Sequence, residues 1–193
     1  MRNTLVVMVK EPHPGRVKTR LGRDLGLVRA AWWFRHQVRR LLRRIEDPRW
    51  DLVLAVAPDA EGLKSRVWPA HLPRIAQGAG NLGDRMGRVL GTVSPLISRG
   101  PVCIIGADIP DIGRSEIARA FAALGGADAV FGPAPDGGYW LVGLKRTAAV
   151  PSGIFADVRW SSEHALADTE ASLKGLRIAH VDVLRDVDTV RDL

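Results

Sequence analysis

"TLVVMVKEPHPGRVKTRL", residues 4–21, sets an apolar run directly against a loop carrying Lys10, Arg16, Lys18 and Arg20 with two prolines and one glycine. The run is too short for a helix and rich in β-branched residues, which predicts a strand buried on both faces, as in a parallel sheet. Two further segments read the same way, "DLVLAVA" (51–57) and "PVCIIGA" (101–107). Between them lie helical patterns at about 24–46 and 82–99, the second broken near Pro95. Beyond residue 107 we expect a helix (114–124), strands "ADAVFGPA" and "GYWLVGL", a helix (162–174), a strand "LRIAHVDV" and a short terminal helix. Strand and helix alternate, the pattern of an α/β sheet with right-handed crossovers. The chain has 193 residues and shows no repeat, linker or low-complexity tract, so the expectation is one three-layer domain, 1–193, around a mixed, mostly parallel sheet.

Open sheets of this kind bind ligands beyond the carboxyl ends of their strands, where the strand order reverses. Unusual residues gather at those ends. The first loop is not a P-loop, because "GRVKT" has one glycine and the wrong spacing, and it is not the G-x-G-x-x-G of a dinucleotide site. It is a stiff loop, with Pro12 and Pro14 fixing φ and Gly15 freeing the backbone to approach a ligand. From it Lys10, Lys18 and Arg20 can meet phosphate oxygens, lysine as a point charge and arginine as a fork; a solvated turn is the plainer alternative. "GADIPD" puts Asp108 just past a strand, where a carboxylate needs a partner, and a divalent cation bridging to phosphates would be one. "DVDT" (186–189) offers two carboxylates two residues apart, with Asp188 equally suited to cap the terminal helix. "PDGG" is a sufficient hairpin turn, yet Asp136, Gly137, Gly138 and Tyr139 beside Trp140 at an expected sheet edge could line an acceptor pocket. "QGAGNLGDRM" opens a helix with Gly80, Asn81 and Leu82, a backbone able to lie against a base with Asn81 reading its edge, or a plain Asn cap.

Composition excludes several classes. Hydrophobic residues make up 46% and charged residues 25%, ordinary globular values. The single cysteine, Cys103, permits no internal disulfide and reads as a buried strand residue. The amino terminus lacks a secretory apolar core, no run approaches a membrane span, and the cytoplasm is the expected compartment. The net charge of +7 raises the question of nucleic acid. Much of the excess, however, sits in "RHQVRRLLRRIEDPR", where Val28, Ala31, Trp32, Val38, Leu41, Leu42 and Ile45 fall at helical spacing and the arginines lie mostly on the other sides. That is a solvated helix face, and nucleic acid is not the expected partner. Histidines lack zinc spacing, and no G-x-S-x-G elbow occurs.

In order, "KEPHPGRVKTRL", "NLGDRM", "GADIPDI", "GPAPDGGYWLVGL", "WSSE" and "DVDTVRDL" resemble the bacterial glycosyltransferase A-like family of uncharacterised proteins, some assigned to arsenosugar biosynthesis. The order is also similar to 2-phospholactate guanylyltransferase and, more distantly, to molybdenum-cofactor guanylyltransferase. The resemblance implies a nucleotide-diphospho-sugar transferase fold and a basic loop (Lys10, Lys18, Arg20) over a triphosphate. It further implies Mg²⁺ or Mn²⁺ on Asp108 with Asp188 completing the site, and residues 80–82 beside the nucleobase. Two departures stand out: the usual Asp-x-Asp pair is replaced by Asp108 followed by "IPD", and "PDGGYW" replaces the asparagine-containing acceptor loop of the phospholactate enzymes.

The leading expectation is a metal-dependent transferase that moves a nucleotide from a nucleoside triphosphate to a small acceptor, with Lys18 and Arg20 catalytic. The rival is a glycosyltransferase using a nucleotide-sugar donor, and the lowest alternative is a non-catalytic binder of an acidic partner. The opening loop favours the first, because departing pyrophosphate has more charge to neutralise.

Overall fold

The computed structural model describes residues 1–146, 149–151 and 153–192. Its seven strands join one sheet, in the order β3-β2-β1-β4-β6-β5-β7. The three apolar runs form its centre: β1 (Asn3–Lys10) pairs in parallel with β2 (Trp50–Ala57) on one side and β4 (Val102–Ile105) on the other. Alternate residues of β1 enter opposite cores. Leu5, Val7 and Val9 pack with the helices of one face, while Val6 packs with Phe131 and Leu90 on the other, which is why the strand reads as continuous apolar sequence. β3 (Arg74–Ala76) extends the sheet beyond β2, and β5 (Ala129–Pro133), β6 (Tyr139–Leu144) and β7 (Ile178–His180) extend it beyond β4. Only β6 is antiparallel to its neighbours. The mixed, mostly parallel α/β sheet expected from the sequence is the one observed.

Two helical layers cover the sheet. α2 (Leu27–Ile45) and α5 (Arg114–Ala123) close one core; α4 (Leu82–Gly91) and α6 (Ala165–Ser172) close the other. α1 (Thr19–Leu25) and α3 (Asp59–Lys64) are short. Among the described residues no helix is long and apolar enough to cross a membrane.

Several boundaries differ from the expectation. The pattern at 24–46 is divided at Gly26, whose φ of 85° stops α1 before α2 begins. The apolar stripe of α2 runs through Ala30, Ala31, Phe34, Val38, Leu41, Leu42 and Ile45, so Val28 and Trp32, counted above as core, are exposed. α4 ends at Gly91, and the strand expected over 176–183 pairs for only three residues. β6, expected at an edge, lies inside the sheet. The terminal helix is a single 3-10 turn, Val190–Asp192; Leu193 lies outside the described residues.

Two sets of hydrogen bonds deliver the loops to one end of the sheet. Arg44 of α2 donates from Nε to Ile112 O at 2.7 Å and from Nη2 to Pro110 O, fixing the loop after β4. Past β7 the chain crosses the strand ends: Trp140 Nε1 donates to Asp182 O at 2.8 Å, Leu184 N to Pro133 O at 3.2 Å and Val187 N to Asp108 O at 3.3 Å. This strap carries Asp186 and Asp188 to the loop after β4.

Candidate functional site

The chain adds β2 and β3 on one side of β1 and β4 onward on the other, so the loops leaving β1 and β4 part at that reversal. They open a cleft of about 1010 Å³. A volume of that order suits a nucleotide-sized ligand.

Lys18 stands at its centre. Its Nζ lies 2.6 Å from Asp108 Oδ2, 3.1 Å from Asp188 Oδ1 and 3.9 Å from Asp186 Oδ2, and its side chain is only 5% exposed. Arg20 Nη1 donates to the other oxygen of Asp188, Oδ2, at 2.7 Å. Burial disfavours the Lys18 charge, but the carboxylates of Asp108 and Asp188 outweigh it and hold the ammonium above its ordinary pKa. Burial also works against Asp188, whose carboxyl is nevertheless kept below the usual range by Lys18 and Arg20. Asp186 is the weakly compensated member: burial, then the charge of Asp188, pushes it up to about 6 against the pull of Lys18. The Lys18 backbone is left-handed, with φ 46° and ψ 48°, at the start of α1. Such a conformation costs a non-glycine residue about 1–2 kcal/mol and persists where surrounding contacts over-determine it.

Asp188 contacts Lys18 and Arg20 because another residue caps the terminal turn. Asp192 Oδ2 accepts from Asp188 N, Thr189 N and Thr189 Oγ1, leaving the Asp188 carboxylate facing the cleft.

Lys10, Gly80, Asn81 and Leu82 line the cleft, and Gly15 does not. Gly15 is the left-handed corner of the exposed turn, with φ 77°, and Arg16 after it reaches the cleft. Asn81 is the N-cap of α4: its Oδ1 accepts from Asp84 N at 3.0 Å and its backbone N donates to Asp84 Oδ2 at 2.9 Å. One lone pair of its oxygen is thereby engaged, leaving the other and the Nδ2 donor for a ligand. Asp136, Gly138 and Tyr139 line the opposite wall, whereas Gly137 turns the hairpin against the loop before α6, where a Cβ would collide with the Glu163 backbone. Asp136 Oδ1 accepts from Gly138 N at 3.0 Å. The Tyr139 hydroxyl meets Thr169 Oγ1 at 3.3 Å, and burial pushes its pKa up, so it forms a wall and holds its proton.

Three contributors were not singled out from the sequence. Asp186 was seen only as half of a pair. Arg85, one turn into α4, lines the cleft, and so does the loop Trp160–Ser161–Ser162–Glu163, known above only as a motif of the resemblance. Trp160 packs on α4 at Gly83, where a Cβ would stand 2.8 Å from its ring.

Among the described residues no group of three or more acidic, histidine or cysteine side chains is arranged to hold a metal ion. Where three carboxylates do converge, the Lys18 ammonium is between them. The donors are all hard oxygens, with partly exposed side chains and a cleft in front of them, which fits Mg²⁺ or Mn²⁺ taking one or two carboxylates and substrate oxygens for the rest.

A crystal structure of a protein from Desulfovibrio desulfuricans G20, provisionally named a nucleotide-diphospho-sugar transferase, is 31% identical over 100% of this chain and 85% of its own, with a TM-score of 0.83. Rv0371c from Mycobacterium tuberculosis H37Rv, solved in complex with manganese, is 17% identical over 100% of this chain and 96% of its own, with a TM-score of 0.54. CMP:2-keto-3-deoxy-manno-octonic acid synthetase complexed with CTP is 12% identical over 98% and 94%, with a TM-score of 0.57. The last two likenesses show the fold alone. No match was found among curated proteins. The 31% identical relative carries a transferase name, in agreement with the enzyme class expected from the sequence. Residues 41–162 match a family described as an uncharacterised protein conserved in bacteria, DUF2064, and with nearly two thirds of its length inside that match the chain belongs to the DUF2064 family.

Proposed function

We propose that this chain is a metal-dependent nucleotidyltransferase. An acceptor oxygen bonds to the α-phosphorus of a nucleoside triphosphate, the bond from that phosphorus to the bridging oxygen breaks, and pyrophosphate leaves with the electron pair. If the acceptor is a hydroxyl, its proton passes to water or a cleft carboxylate. Residues 1–193 act as one domain of the nucleotide-diphospho-sugar transferase type, and the kinship with the guanylyltransferases and the arsenosugar glycosyltransferases belongs to this reading.

The observation that carries the proposal is the meeting of Lys18, Arg20, Asp108 and Asp188 at the strand-order reversal. Lys10, Lys18 and Arg20 neutralise the phosphates, with Gly15 turning the loop that bears them. Gly80, Leu82 and the Asn81 amide lie toward the base; Asp136, Gly138 and Tyr139, braced through Gly137, line the acceptor side. Asp108 and Asp188, joined by Asp186, hold Mg²⁺ or Mn²⁺, which when bound supplies positive charge against the polyphosphate. Charge makes the need for it plain. Among the described residues five basic side chains line the cleft (Lys10, Arg16, Lys18, Arg20, Arg85) against five acidic ones (Asp108, Asp136, Glu163, Asp186, Asp188), so a triphosphate finds no net positive field from them alone.

Glycosyl transfer from a nucleotide sugar is a second reading, favoured by the name of the 31% identical relative. Equilibrium dialysis with Mg²⁺ separates the two. We expect a nucleoside triphosphate to bind at least tenfold more tightly than any nucleotide sugar, and to release pyrophosphate when a pooled bacterial small-molecule extract supplies the acceptor. Lys18→Ala should then lose about 2 to 4 kcal/mol of transition-state stabilisation. Tighter binding of a nucleotide sugar would transfer the assignment to the second reading; binding of neither would end both.

A further inference from the structure

Lys18 has two incompatible places to be. As described, its ammonium is enclosed by Asp108, Asp186 and Asp188, the carboxylates that would hold the metal. A divalent ion on those oxygens would compete with the ammonium for the same lone pairs and repel it at short range. Yet a lysine meant for phosphate must leave those carboxylates to reach it.

We propose that Lys18 is a placeholder cation: without ligands its ammonium occupies the metal position, and metal entry displaces it onto the phosphates of the nucleotide. The inference rests on the function proposed above. Three further observations support it. The lysine is enclosed while the carboxylates remain one third exposed, so an ion can reach them from the cleft side. Arg20 holds the far oxygen of Asp188 from an exposed position, so that carboxylate stays aimed when the lysine departs. The left-handed backbone of Lys18, three residues beyond the turn at Gly15, is a place where the loop can change conformation. The consequence is reciprocal coupling: metal alone binds weakly because it must evict an ammonium, and nucleotide strengthens metal binding by giving that ammonium a destination.

The test measures metal affinity, not turnover. Mn²⁺ binding is followed by electron paramagnetic resonance with and without a non-hydrolysable triphosphate, for the wild type and for Lys18→Met. We expect the wild type to bind Mn²⁺ alone weakly and at least tenfold more tightly with nucleotide. Lys18→Met should bind Mn²⁺ alone at least tenfold more tightly than the wild type. Equal or weaker Mn²⁺ binding by Lys18→Met would overturn the placeholder role. Because that variant leaves three carboxylates facing one another and could fail to fold, the wild type supplies a second measurement. Acetic anhydride labelling of Lys18, quantified by mass spectrometry, should be low without ligand, at least fivefold higher with Mn²⁺ alone, and low again with Mn²⁺ and nucleotide. Labelling unchanged by Mn²⁺ would overturn the proposal as well. If Mn²⁺ alone raises Lys18 labelling and Lys18→Met binds Mn²⁺ more tightly, but no nucleotide binds, the proposed function is refuted and displacement of the lysine by the metal stands; nucleotide binding without that displacement refutes the placeholder alone.

Discussion

Asp186 and Asp188 flank Val187, whose buried side chain anchors the strap, and both carboxylates end beside Lys18. They are not equivalent. Asp188 is matched by two cations, while Asp186 stands farther from Lys18 and is pushed up to about 6 by burial and by Asp188. An added divalent ion would relieve Asp186 most, since it carries the least compensated charge. We therefore expect Asp186→Asn to weaken Mn²⁺ binding in the presence of nucleotide at least tenfold, about 1.4 kcal/mol, with little loss of melting temperature in chelator. Unaltered Mn²⁺ affinity would remove Asp186 from the metal set. The sequence could present this pair but not rank it. Capping and metal binding fitted Asp188 equally until Asp192, four residues on, proved to hold the cap. The same held at Asn81, where cap and base contact competed and the reciprocal bond with Asp84 took one lone pair of the oxygen. A short polar side chain next to a helix start satisfies both descriptions, and only the neighbours decide.

At the scale of elements, long apolar runs were legible and short pieces were not. β1, β2 and β4 are buried on both faces and announce themselves; β3 is three half-buried residues long and α3 six mostly exposed ones, too short for any period to emerge. The phase of α2 cannot be read from "AAWWF", which offers five candidates for one stripe; Phe34 faces the core and Trp32 faces out. The loop between residues 157 and 163 has no periodic signal either, and it is held by a clamp legible only in three dimensions. Asp168 of α6 accepts from Arg159 through Nε at 2.9 Å, Nη2 at 2.9 Å and the backbone N at 3.0 Å. Those bonds, led by the Arg159 side chain, hold the Asp168 carboxyl well below the usual carboxylate range. A depressed folded-state pKa adds stability above the unfolded value of 3.8 and surrenders it as pH falls through the folded one. Asp168→Asn should accordingly lose less stability than the wild type as pH drops from 5 to 2.5, measured by urea unfolding at each pH. The freed loop bears Trp160 and Ser162 on the cleft wall, so the variant should also raise KM for the acceptor while kcat changes less than threefold. Parallel acid profiles for the two proteins would show the clamp to be without weight.

For the molecule as a whole, the decisive property is that a sheet built outward in both directions from β1 leaves one seam, and every charged loop of interest ends there. The overall charge of +7 is not concentrated at that seam, where, among the described residues, five basic and five acidic side chains balance. Global charge thus says little about the ligand, and under the function proposed above the local balance calls for polyphosphate and divalent ion to bind together. The expectation can be put in terms of mass action. A ligand at a hundred times its Kd stabilises the folded state by about 2.7 kcal/mol, which for a chain of this length moves Tm by roughly 5–10 °C. Triphosphate in chelator meets no net attraction, and Mg²⁺ alone meets carboxylates already neutralised by Lys18 and Arg20, so each alone should move Tm by less than about 2 °C at the same concentration. Together they should produce the full shift, more than the sum of the two. If triphosphate in chelator gave the full shift by itself, the balance of charge would not govern the cleft, and the metal would have no part in holding the nucleotide.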